Sequence, residues 1–359
     1  MRAAVLRNTG DELLDVTEVS LLDTGPRQVR VKIHATGVCH SDLSAMNGLI
    51  PQPAPFIPGH EGAGEVVDVG EGVTEVAVGD HVIVAWMPPC GRCRFCLGGQ
   101  PELCLEITIA QAYQPRFVVD GTPAFGMAGT GTFAEEVVLP VEGVIPIAED
   151  VPWDVASLIG CGVTTGVGAA INMAKVVPGS SVVVFGCGGV GINVIQGARL
   201  AGAAEIVAVD LVEEKREGAR RFGATHTVHP DDLAEVSGSI TGGLGFDYGF
   251  EVIGLPATIR ATYDAVRRGG TATIVGMGGA DKMVEFNAFE LFFNEKKLLG
   301  SIYGSGDVRT EFHRLIRLWR NKRLDLEGLI SKTGKLDDVN QAFADMKAGR
   351  VIRTVIEMT

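Results

Sequence analysis

A chain of 359 residues exceeds the roughly 250–300 over which one hydrophobic core keeps growing, so two domains are expected, and 46% hydrophobic with 21% charged residues excludes wholesale disorder. A formal net charge of −13 repels a phosphate backbone and sets nucleic acid aside as a partner. The seven cysteines are an odd number, which a disulfide framework explains poorly and metal ligation explains better.

The opening "MRAAVLRNTGDELLD" has neither an apolar core nor a small-residue cleavage site. It reads as a mature N-terminus without an export signal, and a cytoplasmic location is expected. Through roughly the first 150 residues, "RVKIHATGV", "GAGEVVDVG", "DHVIVAWM" and "FAEEVVLP" alternate apolar and polar positions between Gly, Pro and Asp, which predicts a β-rich domain. From about residue 163, apolar strands such as "SVVVFG" and "EIVAVD" alternate with helical segments such as "GINVIQGARLAG", "EEKREGARRFG" and "PATIRATYDAVRRGG". That alternation predicts a parallel sheet covered by helices, an α/β arrangement. The tail, with a charged helix near "DDVNQAFADMKAG" and a strand "VIRTVIEM", returns to complete the first domain. The expected division is therefore 1–162 with 300–359 for the β-rich domain and 163–299 for the α/β domain. One stretch between Lys175 and Arg199 carries no charge for 23 residues, long enough to span a membrane, but Pro178 and six glycines break it into a buried strand and helix. No membrane is expected.

"VVVFGCGGVGINVIQGARLAGAAEIVAVD" places Gly186, Gly188 and Gly191 in GxGxxG spacing after an apolar strand, with Gly189 and Val190 opening a helix. The glycines let a backbone approach a pyrophosphate, whose charge the helix N-terminus favours. Asp210 ends the next strand, 19 residues beyond Gly191, where a ribose-binding carboxylate belongs. Leu211, Val212, Glu213 and Glu214 offer no cation for a 2′-phosphate, so NAD is expected over NADP. Cys187 sits at a variable position of the fingerprint and reads as a space-filling bystander.

Cys90, Cys93, Cys96 and Cys104 stand as CxxCxxCx7C, and four thiolates so close can wrap one tetrahedral zinc with no open position, a structural site. Cys39 in "GVCHSD", His60 in "PGHEGAG" and Cys161 in "IGCGVTTG" form a scattered second set. Three protein ligands would leave a fourth zinc position for substrate, although a lone buried Cys or His is more often core filling.

Taken together, "GVCHSD", "GHEGAGEVVDVG", the four-cysteine loop, "GCGVTTG", "GCGGVG" with Asp210, and "VIRTVI" resemble the zinc-dependent alcohol dehydrogenases of the medium-chain dehydrogenase/reductase superfamily, nearly end to end. The resemblance implies a GroES-like β-rich catalytic domain and a Rossmann cofactor domain, with NAD and two zinc ions per chain, one catalytic and one structural. It makes Cys39, His60 and Cys161 the catalytic ligands, with Glu61 beside them as the acidic neighbour and Asp42 orienting the His60 imidazole. Ser41 matches the hydroxyl that passes the substrate proton outward, and Thr165 a position against the nicotinamide. His40 and Arg353 match pyrophosphate contacts, and Lys215 matches a contact to the adenosine ribose. Two departures stand out: Ser44 where liver-type enzymes end the proton path in a histidine, and Leu255 where they often carry an arginine.

By the same resemblance Ile50, Trp86, Met127, Ala128, Met277 and Ile302 line the substrate cleft, an apolar lining that suits primary alcohols and aldehydes with apolar chains. The segment from Leu43 to Gly59 is wholly uncharged, which disfavours the thiol-adduct formaldehyde dehydrogenases as an alternative. A zinc-binding interaction module and a metal-free quinone or enone reductase are the other readings, the first opposed by the dinucleotide fingerprint and the second by the cysteine sets. The long segment between Cys104 and Phe133 resembles the long-chain, commonly dimeric members, so a homodimer is expected.

Overall fold

The computed structural model describes residues 1–358, to which every count and absence below refers. The chain divides into two compact units, Met1–Gly162 with Asp307 onward, and Val163–Gly306.

The first unit is built on a seven-stranded sheet. Its central strand, Gln28–Gly37, alternates as its sequence requires, with Val29, Val31 and Ile33 turned into the core and fully buried. Strand Glu61–Val69 pairs antiparallel with it along most of its length, and His81–Val84 pairs with Glu61–Val69 in turn. The last strand, Arg353–Glu357, lies antiparallel to Gln28–Gly37 on its other side and parallel to Ile330–Lys335. The tail thus completes the sheet begun near the N-terminus. One core gathers Val31, Phe56, Phe133 and Phe343 from across this unit.

The second unit is a six-stranded, wholly parallel sheet. In chain order its strands are Ser181–Phe185, Glu205–Val209, His226–Val228, Phe246–Glu251, Val266–Ile274 and Lys297–Gly300. They lie in spatial order 3-2-1-4-5-6, so the order reverses between the first and the fourth strand, where open α/β sheets bind their ligands. The uncharged stretch after Lys175 becomes the first strand, a turn and the helix Gly189–Leu200. A different helical run, Trp153–Met173, is long and apolar enough to cross a membrane by length and composition alone, and 83% of its apolar 18-residue stretch is buried within the protein.

Two boundaries depart from the expected ones. The helix after "FEVIG" ends at Ala265, and "VRRGG" belongs to the next strand, because Val266 already pairs with Phe246 and Gly269 turns with φ of +70°. The chain returns to the first unit after Gly306, beyond residue 299, because Lys297–Gly300 still pairs as the sixth strand and Gly304 packs directly on Gly168.

Candidate active site and metal centres

Three local devices bring the scattered ligands together in the first unit. Cys39 ends the extended segment after Gln28–Gly37 and caps the helix His40–Met46, with the Asp42 carboxylate accepting the Cys39 N–H at 3.0 Å. His60 follows Gly59, whose φ of +97° turns the chain into strand Glu61–Val69. Cys161 lies in a π-helical turn, Ile159–Val163, a widened turn of the kind that recurs at functional sites. One ligand atom each from Cys39, His60, Glu61 and Cys161 lie within 4.8 Å of one another, and all four residues are buried.

The electrostatics of this cluster suit a cation. Asp42 is fully buried, and its Oδ1 meets His60 Nδ1 at 2.8 Å while accepting the Gly59 N–H at 2.9 Å. The carboxylate fixes the proton on Nδ1 and leaves Nε2 as the lone-pair donor. His60 Nε2 and Glu61 Oε2 are buried without a hydrogen-bond partner, a costly arrangement that a metal ion relieves. The hydrogen bond from Cys161, helped by His60 and Arg353, holds the Cys39 thiol well below its ordinary range despite burial. Burial pushes the Glu61 carboxyl up to about 7, against the pull of Arg353. A zinc ion fits this donor set.

The four-cysteine loop is equally converged, with one sulfur from each of Cys90, Cys93, Cys96 and Cys104 inside the same 4.8 Å limit. All seven cysteines are free thiols. Backbone N–H groups of Cys93 and Cys96 point at the sulfurs of Cys90 and Cys93, at 3.3 and 3.5 Å. The Cys96 N–H draws the Cys93 thiol down to about 7, toward the thiolate a metal needs.

In the second unit the glycine turn is open where a dinucleotide belongs. Gly186 has φ of +100°, and a Cβ on Gly191 would stand 1.8 Å from the Gly186 carbonyl oxygen. A Cβ on Gly188 would meet nothing within 4 Å, which leaves room for a phosphate at the start of helix Gly189–Leu200. Asp210 ties this turn to the loop after its own strand, accepting the N–H groups of Cys187 at 2.8 Å and Val212 at 2.9 Å. Arg216, just past the acidic pair, is a cation near Asp210, but it is engaged by the Asp210 and Leu211 carbonyls at 2.8 and 3.0 Å. These features fit NAD.

The other expected residues are placed as follows. Ser41 Oγ lies 3.7 Å from Cys39 Sγ, and His40 is exposed. Arg353 is buried, its guanidinium 3.3 Å from Glu61 and 3.2 Å from the Val38 carbonyl, so it buttresses the metal cluster. Trp86 sets its ring edge-on to His60 at 6.2 Å. Ala128 lines a cleft beside Trp86, whereas Met127 faces inward and joins the core, and Ile50 is half-buried against that core. Met277 and Ile302 are exposed in the second unit, where Thr165 lies on the first turn of helix Thr164–Gly168 and Lys215 on helix Glu213–Phe222. Two residues carried no sequence signal. Glu251, fully buried where its strand ends, accepts the N–H groups of Ile253 and Gly254 at 3.0 and 2.8 Å and the Thr258 hydroxyl at 2.6 Å. Gln52 bridges two segments of the cleft wall.

Comparison with known proteins agrees with this geometry. Residues 25–149 match the family described as alcohol dehydrogenase GroES-like domain, and residues 189–321 match zinc-binding dehydrogenase. The chain is 40% identical to S-(hydroxymethyl)glutathione dehydrogenase of Paracoccus denitrificans over 372 residues, 99% of each chain. It is 39% identical to alcohol dehydrogenase class-3 of Cereibacter sphaeroides, again over 99% of each. The solved benzyl alcohol dehydrogenase of Acinetobacter calcoaceticus superposes with a TM-score of 0.93 at 30% identity, covering 100% of this chain and 99% of that one. With its two converged metal centres and its glycine turn, the chain belongs to the zinc-dependent alcohol dehydrogenases of the medium-chain dehydrogenase/reductase superfamily, enzymes that use NAD.

Proposed function

We propose that this enzyme oxidises primary alcohols with apolar chains to aldehydes, and reduces the aldehydes, with NAD(H) as the hydride carrier. The observation that carries the reading is the convergence of Cys39, His60 and Cys161, drawn from three distant parts of the sequence, on one buried point with an unsatisfied His60 Nε2. Zinc at these residues supplies a Lewis acid that polarises the carbinol oxygen, and NAD supplies the hydride acceptor. Cys39, His60 and Cys161 hold that ion, while Asp42 keeps the imidazole of His60 in the ligating tautomer. Ser41, beside Cys39, receives the substrate hydroxyl proton and passes it outward, and with Ser44 in place of a histidine the proton leaves through water. Asp210 favours the unphosphorylated adenosine ribose, and Gly186, Gly188, Gly189, Val190 and Gly191 receive the pyrophosphate. Cys90, Cys93, Cys96 and Cys104 hold a second, structural zinc.

A second reading, oxidation of a hydroxymethyl thiol adduct, is the one the relatives' names fit best, since those of Paracoccus denitrificans and Escherichia coli, 40% and 38% identical, are both S-(hydroxymethyl)glutathione dehydrogenases. Both substrates present the same CH2OH group, and they differ in the charge of what it is attached to. The uncharged segment from Leu43 to Gly59 supports the apolar choice. NADH formation with benzyl alcohol, hexan-1-ol and S-hydroxymethylglutathione separates the two. The proposal expects the highest kcat/KM on the apolar alcohols with NAD, and a preference for the adduct or for NADP overturns it.

We further propose a cytoplasmic homodimer. Phe289, Phe292 and Phe293, 67%, 78% and 48% exposed on helix Ala288–Asn294, stand near the outermost strand Lys297–Gly300, which pairs on one side only. Such a patch and open edge support pairing with a second copy.

A further inference from the structure

We infer that Glu251 is a positioning residue for the dinucleotide: its buried carboxylate holds the loop 252–254 as the wall of the cofactor crevice that faces the glycine turn, and this rests on the NAD reading above. Strands Ser181–Phe185 and Phe246–Glu251 are the neighbours at which the strand order reverses, and Phe185 and Glu251 are direct partners across their ladder. The chain therefore leaves the sheet at Gly186 and at Val252 side by side, where an open parallel sheet takes its ligand. The two turns touch. A Cβ on Gly186 would come within 2.9 Å of Ile253 Cγ1 and 3.0 Å of Val252 Cγ2, and one on Gly191 within 3.1 Å of Val252 Cγ2. Ile253 is nevertheless 45% exposed, so it stands at the mouth of the crevice rather than in the core.

Val252 still belongs to the sheet edge, donating its N–H to the Phe185 carbonyl at 3.1 Å. Beyond it, the N–H groups of Ile253 and Gly254 have one acceptor among the described residues, Glu251 Oε1, at 3.0 and 2.8 Å. The same oxygen lies 2.6 Å from the Thr258 hydroxyl, which is also 3.0 Å from the Leu255 carbonyl, so the loop is tied to the first turn of helix Pro256–Ala265. The Glu251 carbonyl accepts the N–H groups of Val275 and Gly276 at 2.8 and 3.0 Å, which anchors the residue to the end of the next strand. Gly254 has φ of +90°, and a Cβ there would meet the Met277 carbonyl oxygen at 2.4 Å. The carboxylate itself is unfavourably placed, because Glu251 is fully buried and its Oε2 has no hydrogen-bond partner. An apolar side chain would fill the space without that burden but would leave both N–H groups unsatisfied, so what Oε1 holds in place accounts for the charge. A wall fixed before the cofactor arrives lowers the ordering cost of binding it.

Two variants of the zinc-loaded protein test this. Glu251→Leu replaces the acceptor by an apolar side chain, and Glu251→Gln keeps an oxygen for both N–H groups. At a temperature where all three proteins are folded, fluorescence titration should give an NADH Kd about tenfold higher for Glu251→Leu and within about threefold of wild type for Glu251→Gln, with zinc content unchanged in both. A Glu251→Leu protein that melts lower yet binds NADH as wild type does would reduce the residue to a structural role and overturn the inference, as would a Glu251→Gln protein as weak as Glu251→Leu. Should Glu251→Leu fail to fold, hydrogen exchange of the wild-type protein decides: without cofactor the amides of Ile253 and Gly254 should already be protected, and NADH should change their rate by less than about threefold. Fast exchange that slows only when NADH is added overturns the inference. A wild-type protein that binds no NADH would refute the NAD reading and the role of Glu251 in binding together, while the same exchange measurement would still show whether its carboxylate holds the loop.

Discussion

Gly188 is the residue where occupancy and stability separate most cleanly. Its φ of −80° suits any amino acid, and a Cβ there meets no protein atom within 4 Å. Gly188→Ala should therefore fold with a Tm within about 2 °C of wild type, as neutral surface changes do, yet bind NADH at least about tenfold more weakly because the methyl fills the phosphate's place. Gly191→Ala offers the contrast, since its Cβ would collide with the Gly186 carbonyl oxygen at 1.8 Å and stability itself should fall by roughly 1–3 kcal/mol. Fluorescence titration with NADH and a melting curve for each variant check both. The glycines and Asp210 were legible in the sequence because their chemistry is local. Cys39, His60 and Cys161 were legible only through their resemblance to a family, since no periodicity links residues so far apart. Gln52 and Glu251 were silent, because one buried amide or carboxylate leaves no pattern around it. Arg353 was read as a pyrophosphate contact, whereas its partnership with Glu61 depends on the last strand lying beside Gln28–Gly37.

At the scale of elements, the helix that leads to Cys161 starts at Trp153, whose ring lies between two histidines. His34 stacks on it at 4.6 Å, and His81 approaches it at 4.1 Å with its ring tilted by 36°. His34 Nε2 and His81 Nδ1 are buried without a hydrogen-bond partner, with Glu65 3.9 Å from His34 Nε2. Burial, aided by Lys32 and His81 and opposed by Glu65, holds the His34 pKa below its ordinary value. A base with a lowered folded pKa takes up more protons when unfolded, so stability falls as pH drops through about 6.5 toward the folded value. Unfolding of the wild-type protein should show Tm declining across that window together with Trp153 fluorescence. His34→Phe, which keeps the stack without the titration, should flatten the decline, and an unchanged slope would contradict the assignment. The strands of both units were legible because alternation and apolar runs have short periods. The end of the helix at Ala265 was not, because "VRRGG" follows helical residues without a break and only its pairing with Phe246 makes it a strand. The π-helical turn around Cys161 likewise has no composition of its own.

For the whole molecule, the exposed phenylalanines near an open sheet edge predict self-association. Light scattering should give twice the mass of the 37.8 kDa chain, and Phe292→Asp should shift it toward monomer while each chain retains its zinc. A wild-type monomer would remove the dimer. The two-domain plan followed from length and from the change of pattern near residue 163, whereas the return point depended on a sixth strand too short to announce itself.

Zinc-edge anomalous diffraction from crystals of the purified protein tests the central claim most directly. The account predicts two peaks per chain, one within about 2.0–2.4 Å of Cys39 Sγ, His60 Nε2 and Cys161 Sγ, the other at the same range from the four clustered cysteine sulfurs. A single peak at the four-cysteine loop, with Cys39, His60 and Cys161 free of metal, would contradict it.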